Sequence, residues 1–424
     1  MKCEMLTKEE NRILTEVGPN TPGGELLRRY WHPVCTTKQM MNRTTMKLRI
    51  LGEDLVLFKT GEGKYGLVEE HCPHRGVSLA YGFVENDGIR CAYHGWKYSL
   101  KGQCVEQPFE PKDSKFKDNI QIVSYQVVEK YGLVWAYMGP SPAPLLPEWE
   151  FLVRKDGLRF YVIYDSNYNW LQAMENSMDS THTYFLHGVM LRKTMPEIWQ
   201  ETYKDILDYY NRPIEKYEFV PFEFGFRRRR KYSGQRGNQE AGYPLIFPNI
   251  SVIPMYTYEV VWRVPIDDFH TKAVHMELLP SIDGKTYEQR PELTPVEVNP
   301  PVLKDEKGEY LMNSFPSTDL MAFETQGAIF DRTQEHLASS DRGVVMYRKL
   351  LKEQINLASE GKDPIGTIRD PSVNDYIRVV DPEDYKIKSK NALERGLLQN
   401  WFSELSKGKM PLLDEHTKVF GQQI

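Results

Sequence analysis

Two periodicities alternate along this chain. From about Lys47, MKLRILGEDLVLFKTGEGKYGLVEE exchanges apolar and polar residues between glycine-containing turns. That is the two-residue period of half-buried strands joined in hairpins. It continues through GIRCAYHGWKYSLKGQCVEQ and IQIVSYQVVEKYGLVWAYMG. Ahead of it, Thr7-Lys8-Glu9-Glu10 has the form of a capping box and predicts a short helix through about Val17. Gly18 to Gly24 breaks it, and Glu25 to Trp31 is expected as a second short helix, stopped before Pro33. The proline-rich stretch Pro140 to Trp149 is the best boundary. Beyond it, RFYVIYDSNYNW predicts a strand, WLQAMENSMDSTHTYFLHG a helix, and IEKYEFVPFEFGFRRRRKYSG, ISVIPMYTYEVVWRVP and KAVHMELLPS further strands. Residues 291–316 are expected to be irregular, with helices over Thr318 to Leu337 and Arg342 to Leu357. The expected class is α+β: a helical segment over 1–27, a β-rich domain over 28–145, and a domain over 146–424 with an antiparallel sheet flanked by helices. No internal repeat interrupts this order.

Composition narrows the classes. The chain has 424 residues, 40% hydrophobic and 27% charged, with a formal net charge of −5, a globular profile too long for one compact core. Neither a basic stripe for nucleic acid nor an apolar run for a membrane span is present. The N-terminus has no apolar signal core, so the cytoplasm is expected. An odd count of five cysteines (Cys3, Cys35, Cys72, Cys91 and Cys104) argues against a disulfide scaffold.

Two of those thiols fall into a pattern. Cys72-Pro73-His74 is followed, after sixteen residues, by Cys91-Ala92-Tyr93-His94. Two loops that each bring one Cys and one His suit a [2Fe–2S] cluster with thiolates on one iron and imidazoles on the other. The rival is a Cys2His2 zinc site, but zinc fingers pair Cys with nearby Cys and His with nearby His. Gly76 and Gly95 would let the backbone approach the sulfides. Cys3, Cys35 and Cys104 need only be buried small hydrophobes, and His71 is given no role.

A second pattern lies downstream. Asp179-Ser180-Thr181-His182 and His187-Gly188 give D-x2-H-x4-H. Asp179 and His182, three apart, share a helix face. His187 joins them only if the helix bends or ends near Leu186, which Gly188 permits. Two His and one carboxylate form the facial triad of O2-activating ferrous enzymes. The carboxylate must come from far along the chain, and Asp319, Glu324, Asp331, Glu335 and Asp341 are all open.

The order C-x-H, C-x2-H, D-x2-H-x4-H resembles the oxygenase α-subunits of Rieske non-haem iron oxygenases along essentially the whole chain. MLTKEENRILTEVGPNTPGGELLRRYWHP and DRTQEHL resemble the phthalate-dioxygenase type, built from one kind of subunit. The resemblance implies a Rieske [2Fe–2S] domain followed by a helix-grip, START-like catalytic domain holding mononuclear Fe(II). It implies Cys72, His74, Cys91 and His94 as cluster ligands. It also implies Asp319, followed five residues later by Glu324, as the carboxylate beside His182 and His187. Asp179 would then be no ligand: it would bond His182 of its own subunit and a neighbour's cluster histidine, the counterpart of His94, in a head-to-tail trimer or in stacked trimers. NAD(P)H electrons would arrive only through a separate reductase, with or without a ferredoxin, since no GxGxxG fingerprint is present.

The implied substrate is a small aromatic acid oxidised with O2. The reading leans to O-demethylation of a lignin-derived, dehydrodivanillate-like methoxy aromatic through an unstable hemiacetal that releases formaldehyde. The alternative is ring hydroxylation or cis-dihydroxylation of a phthalate-like acid. A carboxylate would call for an arginine fork. Arg227, Arg228, Arg229 and Arg230 lie on an expected strand, two pointing each way, with a solvated face or subunit interface as the ordinary place for any one of them. Arg263 is a weaker candidate, and His275 and His336 are expected to be structural or at the surface. From other classes stand a Rieske electron carrier without catalysis, which needs only about the first 150 residues, and a zinc-scaffolded binding module.

Overall fold

A computed structural model describes residues 5–155, 157–202, 204–233, 242–254, 258–280, 296–297 and 301–380; Cys3 lies outside them. Thr7 caps the first helix, Lys8–Thr15, with the reciprocal Thr7–Glu10 bonds of a capping box. The second helix is Pro22–Leu27, earlier than the sequence suggested. Thr21 caps it and Pro22 supplies a first-turn residue whose missing N–H costs nothing. Trp31 therefore opens a strand.

The strands of the first region are β1 (Trp31–Thr36), β2 (Thr45–Ile50), β3 (Glu53–Lys59), β4 (Tyr65–Glu69), β5 (Phe83–Glu85), β6 (Gly88–Arg90), β7 (Lys97–Ser99), β8 (Cys104–Glu106), β9 (Ser124–Lys130) and β10 (Leu133–Tyr137). They make a six-stranded sheet in the order β1-β10-β9-β4-β3-β2 and a four-stranded meander of β5 to β8. The second region holds β11 (Gly157–Ser166), β12 (Ile214–Phe222), β13 (Gly225–Tyr232), β14 (Tyr243–Ile246), β15 (Ile250–Pro254), β16 (Tyr258–Pro265), β17 (Thr271–Pro280) and β18 (Val296–Glu297). Their sheet runs β12-β13-β14-β15-β16-β17-β11-β18, antiparallel throughout except for the β11–β18 pair.

Strand alternation gives the large sheet two unlike faces. One carries Val252, Val260, Trp262, Val264, Val274 and Met276, all buried in the main core. Trp135 of β10 meets Trp262 of β16 edge-on, 5.6 Å between ring centres, so the two regions share that core. The other face carries Arg228, Arg230, Ser251, Arg263 and His275, which are also buried. Helices cover this polar face: Trp170–Met178, a wide π-type turn over Thr183–Met190, and Phe315–Glu324. Three further short helices, Leu191–Thr194, Glu197–Thr202 and Lys204–Tyr210, lie where no helix was expected.

One other helix expectation is corrected. The stretch Thr318 to Leu337 is helical only to Glu324, within a helix that starts at Phe315 behind the Ser314 cap. The chain beyond it turns at Gly327 and stays irregular, because Arg332 is drawn fully into the interior to meet Glu175. The last long helix, Arg342–Ser359, matches its expectation closely. No helix among the described residues is long and apolar enough to cross a membrane.

Candidate active site

The loops Cys72-Pro73-His74 and Cys91-Ala92-Tyr93-His94 repeat one turn. Cys72 N–H donates to Val77 O at 3.0 Å and Gly76 N–H to Cys72 O at 2.8 Å; Cys91 N–H donates to Trp96 O at 2.8 Å and Gly95 N–H to Cys91 O at 3.0 Å. Gly76 and Gly95 both have φ +75°, a conformation a side chain would strain. The second loop is anchored by Arg90, which reaches Gly95 O while its other nitrogens hold Glu85 and Glu106. Both thiols are buried, and His74 and His94 stand outside them, ring centres 4.5 Å apart. Trp96 stacks on His74 at 4.5 Å.

Inner sulfurs and outer imidazoles are the division a Rieske cluster requires, so the four residues fit the group. A residue that sequence reasoning missed touches this site: the Tyr98 hydroxyl lies 3.1 Å from Cys72 Sγ. Cys35 is buried in the main core, and Cys104 lies in the same buried cluster as Cys72, Cys91 and Tyr98 with its Sγ toward Glu106 O.

The D-x2-H-x4-H segment differs from its expected helix in an instructive way. Helix Trp170–Met178 stops, and Asp179 is extended at φ −89°, ψ 124°. Its carboxylate accepts the N–H groups of Thr181 and His182, restarting the chain as a wide turn. That turn is π-type from Thr183 to Met190 with His182 at its head. In a π-turn, residues five apart stack on one face. His182 and His187 thus come together without the helix ending, their rings 5.2 Å apart. Gly188 serves close approach instead: a Cβ there would sit 2.8 Å from Tyr210 O.

Of the five downstream acids, Asp319 meets the histidines. Its Oδ1 is 3.4 Å from His187 Nε2, and one ligand atom from each of His182, His187 and Asp319 lies within 4.8 Å of the others. Glu324 instead holds Lys304, Tyr310 and Asn167 N–H; Glu335 pairs with Arg348; Asp331 and Asp341 cap local turns. Because its helix starts at Phe315, Asp319 sits in the second turn rather than the first, so the helix dipole does not account for it. Asp319 Oδ1 is buried with no hydrogen-bond partner, the state of a ligand atom facing a cation, so the three groups fit one iron ion.

Neighbours orient the ligands. Thr318, fully buried, places its hydroxyl 3.4 Å from His187 Nδ1, leaving Nε2 turned toward Asp319. His182 Nδ1 lies 3.4 Å from Asp179 Oδ2 without a well-formed hydrogen bond. Burial would raise the Asp179 carboxyl, but His182 and the Thr181 bonds outweigh it and bring it down to about 2. Asp319 is likewise held below its ordinary value: burial opposes, and His187 with His182 and Arg263 prevails.

Register sets the rest of the site on the polar sheet face. Arg228 pairs with Tyr243, Ser251 with Val261, and Val261 with His275, so alternation puts Arg228, Arg230, Glu259, Arg263, His275 and Tyr164 on one side. Arg230 donates to Thr183 Oγ1 at 3.0 Å, directly on the histidine-bearing turn. Arg263 donates to Tyr168 and lies over Phe323 of the Asp319 helix. His275 sits between Tyr164 OH at 3.0 Å and Glu259 at 3.5 Å, and burial lowers its pKa. Arg228, Arg230 and Arg263 are all under one-tenth exposed. Among the described residues none of the three has a carboxylate within ion-pair distance. Arg228 and Arg230 therefore do not lie on the solvated face or subunit surface that was their ordinary expectation, and His275 belongs to the site face.

Comparison with known proteins places the parts in a family context. A model of the Rieske [2Fe-2S] domain matches residues 30–129, and one described as LigXa C-terminal domain like matches residues 304–391. The 5,5'-dehydrodivanillate O-demethylase oxygenase subunit of Sphingobium sp. (strain NBRC 103272 / SYK-6) is 40% identical over 88% of this chain and 86% of its own. The phthalate 4,5-dioxygenase oxygenase subunit of Pseudomonas putida is 31% identical over 86% and 89%. The solved structure of the Pseudomonas putida CBB5 NdmA QL mutant with theobromine superposes with a TM-score of 0.57 at 21% identity, over 79% of this chain and 93% of that one.

Proposed function

The chain belongs to the Rieske non-haem iron oxygenases as an oxygenase component, and we propose that it oxidises an aromatic carboxylate, with O-demethylation of a dehydrodivanillate-like methoxy biaryl as its reaction. The family uses a Rieske [2Fe–2S] cluster and a mononuclear iron, with NAD(P)H electrons supplied through a separate reductase. Bound iron supplies O2 activation at open coordination positions. Under this reading Cys72, His74, Cys91 and His94 hold the cluster, and His182, His187 and Asp319 hold the iron.

One observation carries the substrate class: the buried sheet face opposite His182, His187 and Asp319 presents Arg228, Arg230 and Arg263, which among the described residues have no carboxylate partner. Leaving a guanidinium dry and unpaired costs several kcal/mol, a cost that a bound carboxylate offsets through a charge-assisted fork. Arg230 fixes the turn bearing His182 and His187 through Thr183, so a carboxylate held there would orient the ring relative to the iron. The same arginines suit a phthalate-like diacid, and the 31% identity to a phthalate dioxygenase component favours that as the second reading.

Asp179 would bridge to the cluster of a neighbouring subunit in a head-to-tail trimer or stacked trimers. Exposed aromatics around the cluster loops (Tyr81, Phe83, Tyr93 and Phe109) and exposed Phe185 beside the catalytic turn support surfaces that are covered in an assembly. The deciding experiment is O2 uptake by the reconstituted protein with a surrogate reductase and a panel of aromatic acids. Formaldehyde released in proportion to O2 from a methoxy biaryl supports demethylation. Uptake with phthalate alone, yielding a diol and no formaldehyde, selects the second reading. No uptake with any acid, from material containing cluster and iron, refutes both.

A further inference from the structure

Helix Trp170–Met178 ends where Asp179 begins, so the place of Asp179 is set by what holds that helix. Four residues before Asp179, Glu175 lies at the centre of a buried row of charges. Its carboxylate accepts Arg332 Nε at 2.8 Å, Arg332 Nη2 at 2.7 Å and Arg348 Nε at 2.5 Å. The far side of Arg348 holds Glu335, and Arg332 Nη1 reaches Asn11 at 3.1 Å. The row alternates Arg332, Glu175, Arg348, Glu335, and no side chain in it is more than 9% exposed. It thereby fastens the end of one helix to the first helix, to the 330–337 stretch and to helix Arg342–Ser359. That last helix also abuts Met178 O, where a Cβ on Gly343 would come within 2.2 Å.

Cohesion alone does not call for these residues. Each buried ion costs several kcal/mol to dehydrate, and apolar side chains of similar volume hold helices together at least as well. The two-point fork of Arg332 and the single Nε bond of Arg348 on one carboxylate do what apolar packing does not: they permit one position and one rotation of the group they grip. Burial would raise the Glu175 carboxyl, yet Arg332 and Arg348 keep it below its ordinary value, so the grip is ionic at neutral pH. Among the described residues the Asp179 carboxylate accepts hydrogen bonds only from its near neighbours Thr181 and His182.

We propose that Arg332 and Arg348, acting through Glu175, are positioning residues that hold Asp179 in register for electron transfer from cluster to iron. The inference rests on the reading of Asp179 as the bridge between subunits. It gives the stretch Asp331 to Leu337 a purpose other than metal binding.

Two variants separate charge from grip. Glu175→Gln/Arg332→Gln removes one charge of each sign and keeps amide hydrogen bonding. Arg332→Lys keeps every charge and loses the two-point fork. The dithionite-reduced holoenzyme is mixed with O2 and 5,5'-dehydrodivanillate, or phthalate where the wild type prefers it. Re-oxidation of the cluster is followed by its visible absorbance through a single turnover. Both variants are expected to slow that step about tenfold or more, as displacement of a reacting group by a fraction of an ångström does. Iron content, the paramagnetic spectrum of the reduced cluster and its midpoint potential stay at wild-type values, which a general loosening of the fold would not allow. A wild-type rate in fully loaded Arg332→Lys, while Asp179→Asn is slow, overturns the brace alone. A wild-type rate in Asp179→Asn overturns the bridge and the brace with it. Should the double variant fail to fold, Arg332→Lys decides.

Discussion

Replacing Arg228 by methionine should make the protein more stable and a poorer enzyme, and the structure sets both magnitudes. Arg228 is 5% exposed, and its contacts are long bonds to Tyr243 O and Ser251 Oγ and the ring of Tyr243. Burial, reinforced by the neighbouring Arg230, brings its pKa well below the ordinary arginine value, to about 9. A cation whose folded pKa lies below its unfolded one opposes folding. The penalty is full below pH 9 and fades as the pH climbs toward the ordinary arginine pKa. At roughly 1.4 kcal/mol per tenfold change in proton affinity, it amounts to about 5 kcal/mol. Methionine keeps most of the stem volume and returns part of this as lost aromatic contact, about 1–2 kcal/mol. A substrate-free gain of about 3 kcal/mol remains, read as a higher Tm at pH 7 that shrinks above pH 9. The same change removes a charge-assisted bond to the substrate carboxylate, about 1.5–3 kcal/mol, so KM rises roughly ten- to hundredfold. Thermal unfolding with and without an aromatic acid, alongside O2-uptake kinetics, measures both. A lower Tm with KM unchanged would show that Arg228 is a structural residue, and the argument for a carboxylate site would fail.

Other consequences are more direct. Asp319→Ala should leave the [2Fe–2S] spectrum intact while iron analysis falls from about three to about two Fe per chain. Tyr98→Phe, by removing the hydroxyl 3.1 Å from Cys72 Sγ, should lower the cluster's midpoint potential with no change in iron content, as protein-film voltammetry would record. Gly188→Ala puts a Cβ 2.8 Å from Tyr210 O, a backbone atom, so the π-turn must shift; the expected result is a several-fold loss of turnover together with a lower Tm. Thr318→Val should weaken iron retention against a chelator about tenfold or more, and Thr318→Ser should restore it.

The cluster loops and the histidine pair were legible because their chemistry is local. Each Cys and His pair lies within one turn, and D-x2-H-x4-H lies within a dozen residues. The sheets were legible for the same reason, since alternation is a short-range signal. The path by which His187 reaches His182 was not legible. Spacing by five fits neither a 3.6-residue helix nor a strand, and only the wide turn reconciles it. The helix expected to Leu337 failed because the burial of Arg332 beside Glu175, 157 residues away, overrides local helix propensity. The inward turn of Arg228 and Arg230 was half legible. Alternation divides the four arginines into two pairs, but which pair faces inward depends on the register of β13 against β14, and periodicity does not carry that.

The two faces of the large sheet explain why such costly groups are tolerated near the iron. Its apolar face, with Trp262, Val274 and Met276, packs against the core shared with β10 and supplies the free energy of the fold. Its polar face is then free to hold groups that oppose folding: Arg228, Arg230 and Arg263, together with a histidine kept neutral by burial. Across from it, Asp179 and Asp319 are held ionised. Cations on the sheet and carboxylates on the helices set up a field across the space between. An iron ion held by His182, His187 and Asp319 would neutralise the helix side and leave the sheet side with an excess of positive charge. Under the proposed reading an anionic substrate would be drawn to that excess and held at the arginines, its uncharged end toward His182, His187 and Asp319. On this account loss of iron and loss of substrate affinity are linked. With Asp319 uncompensated, Arg263 finds its counter-charge within the protein, and the affinity for an aromatic carboxylate falls. Equilibrium dialysis of an aromatic acid against iron-loaded and chelator-stripped protein tests it, and equal affinities would refute the charge division between the two sides.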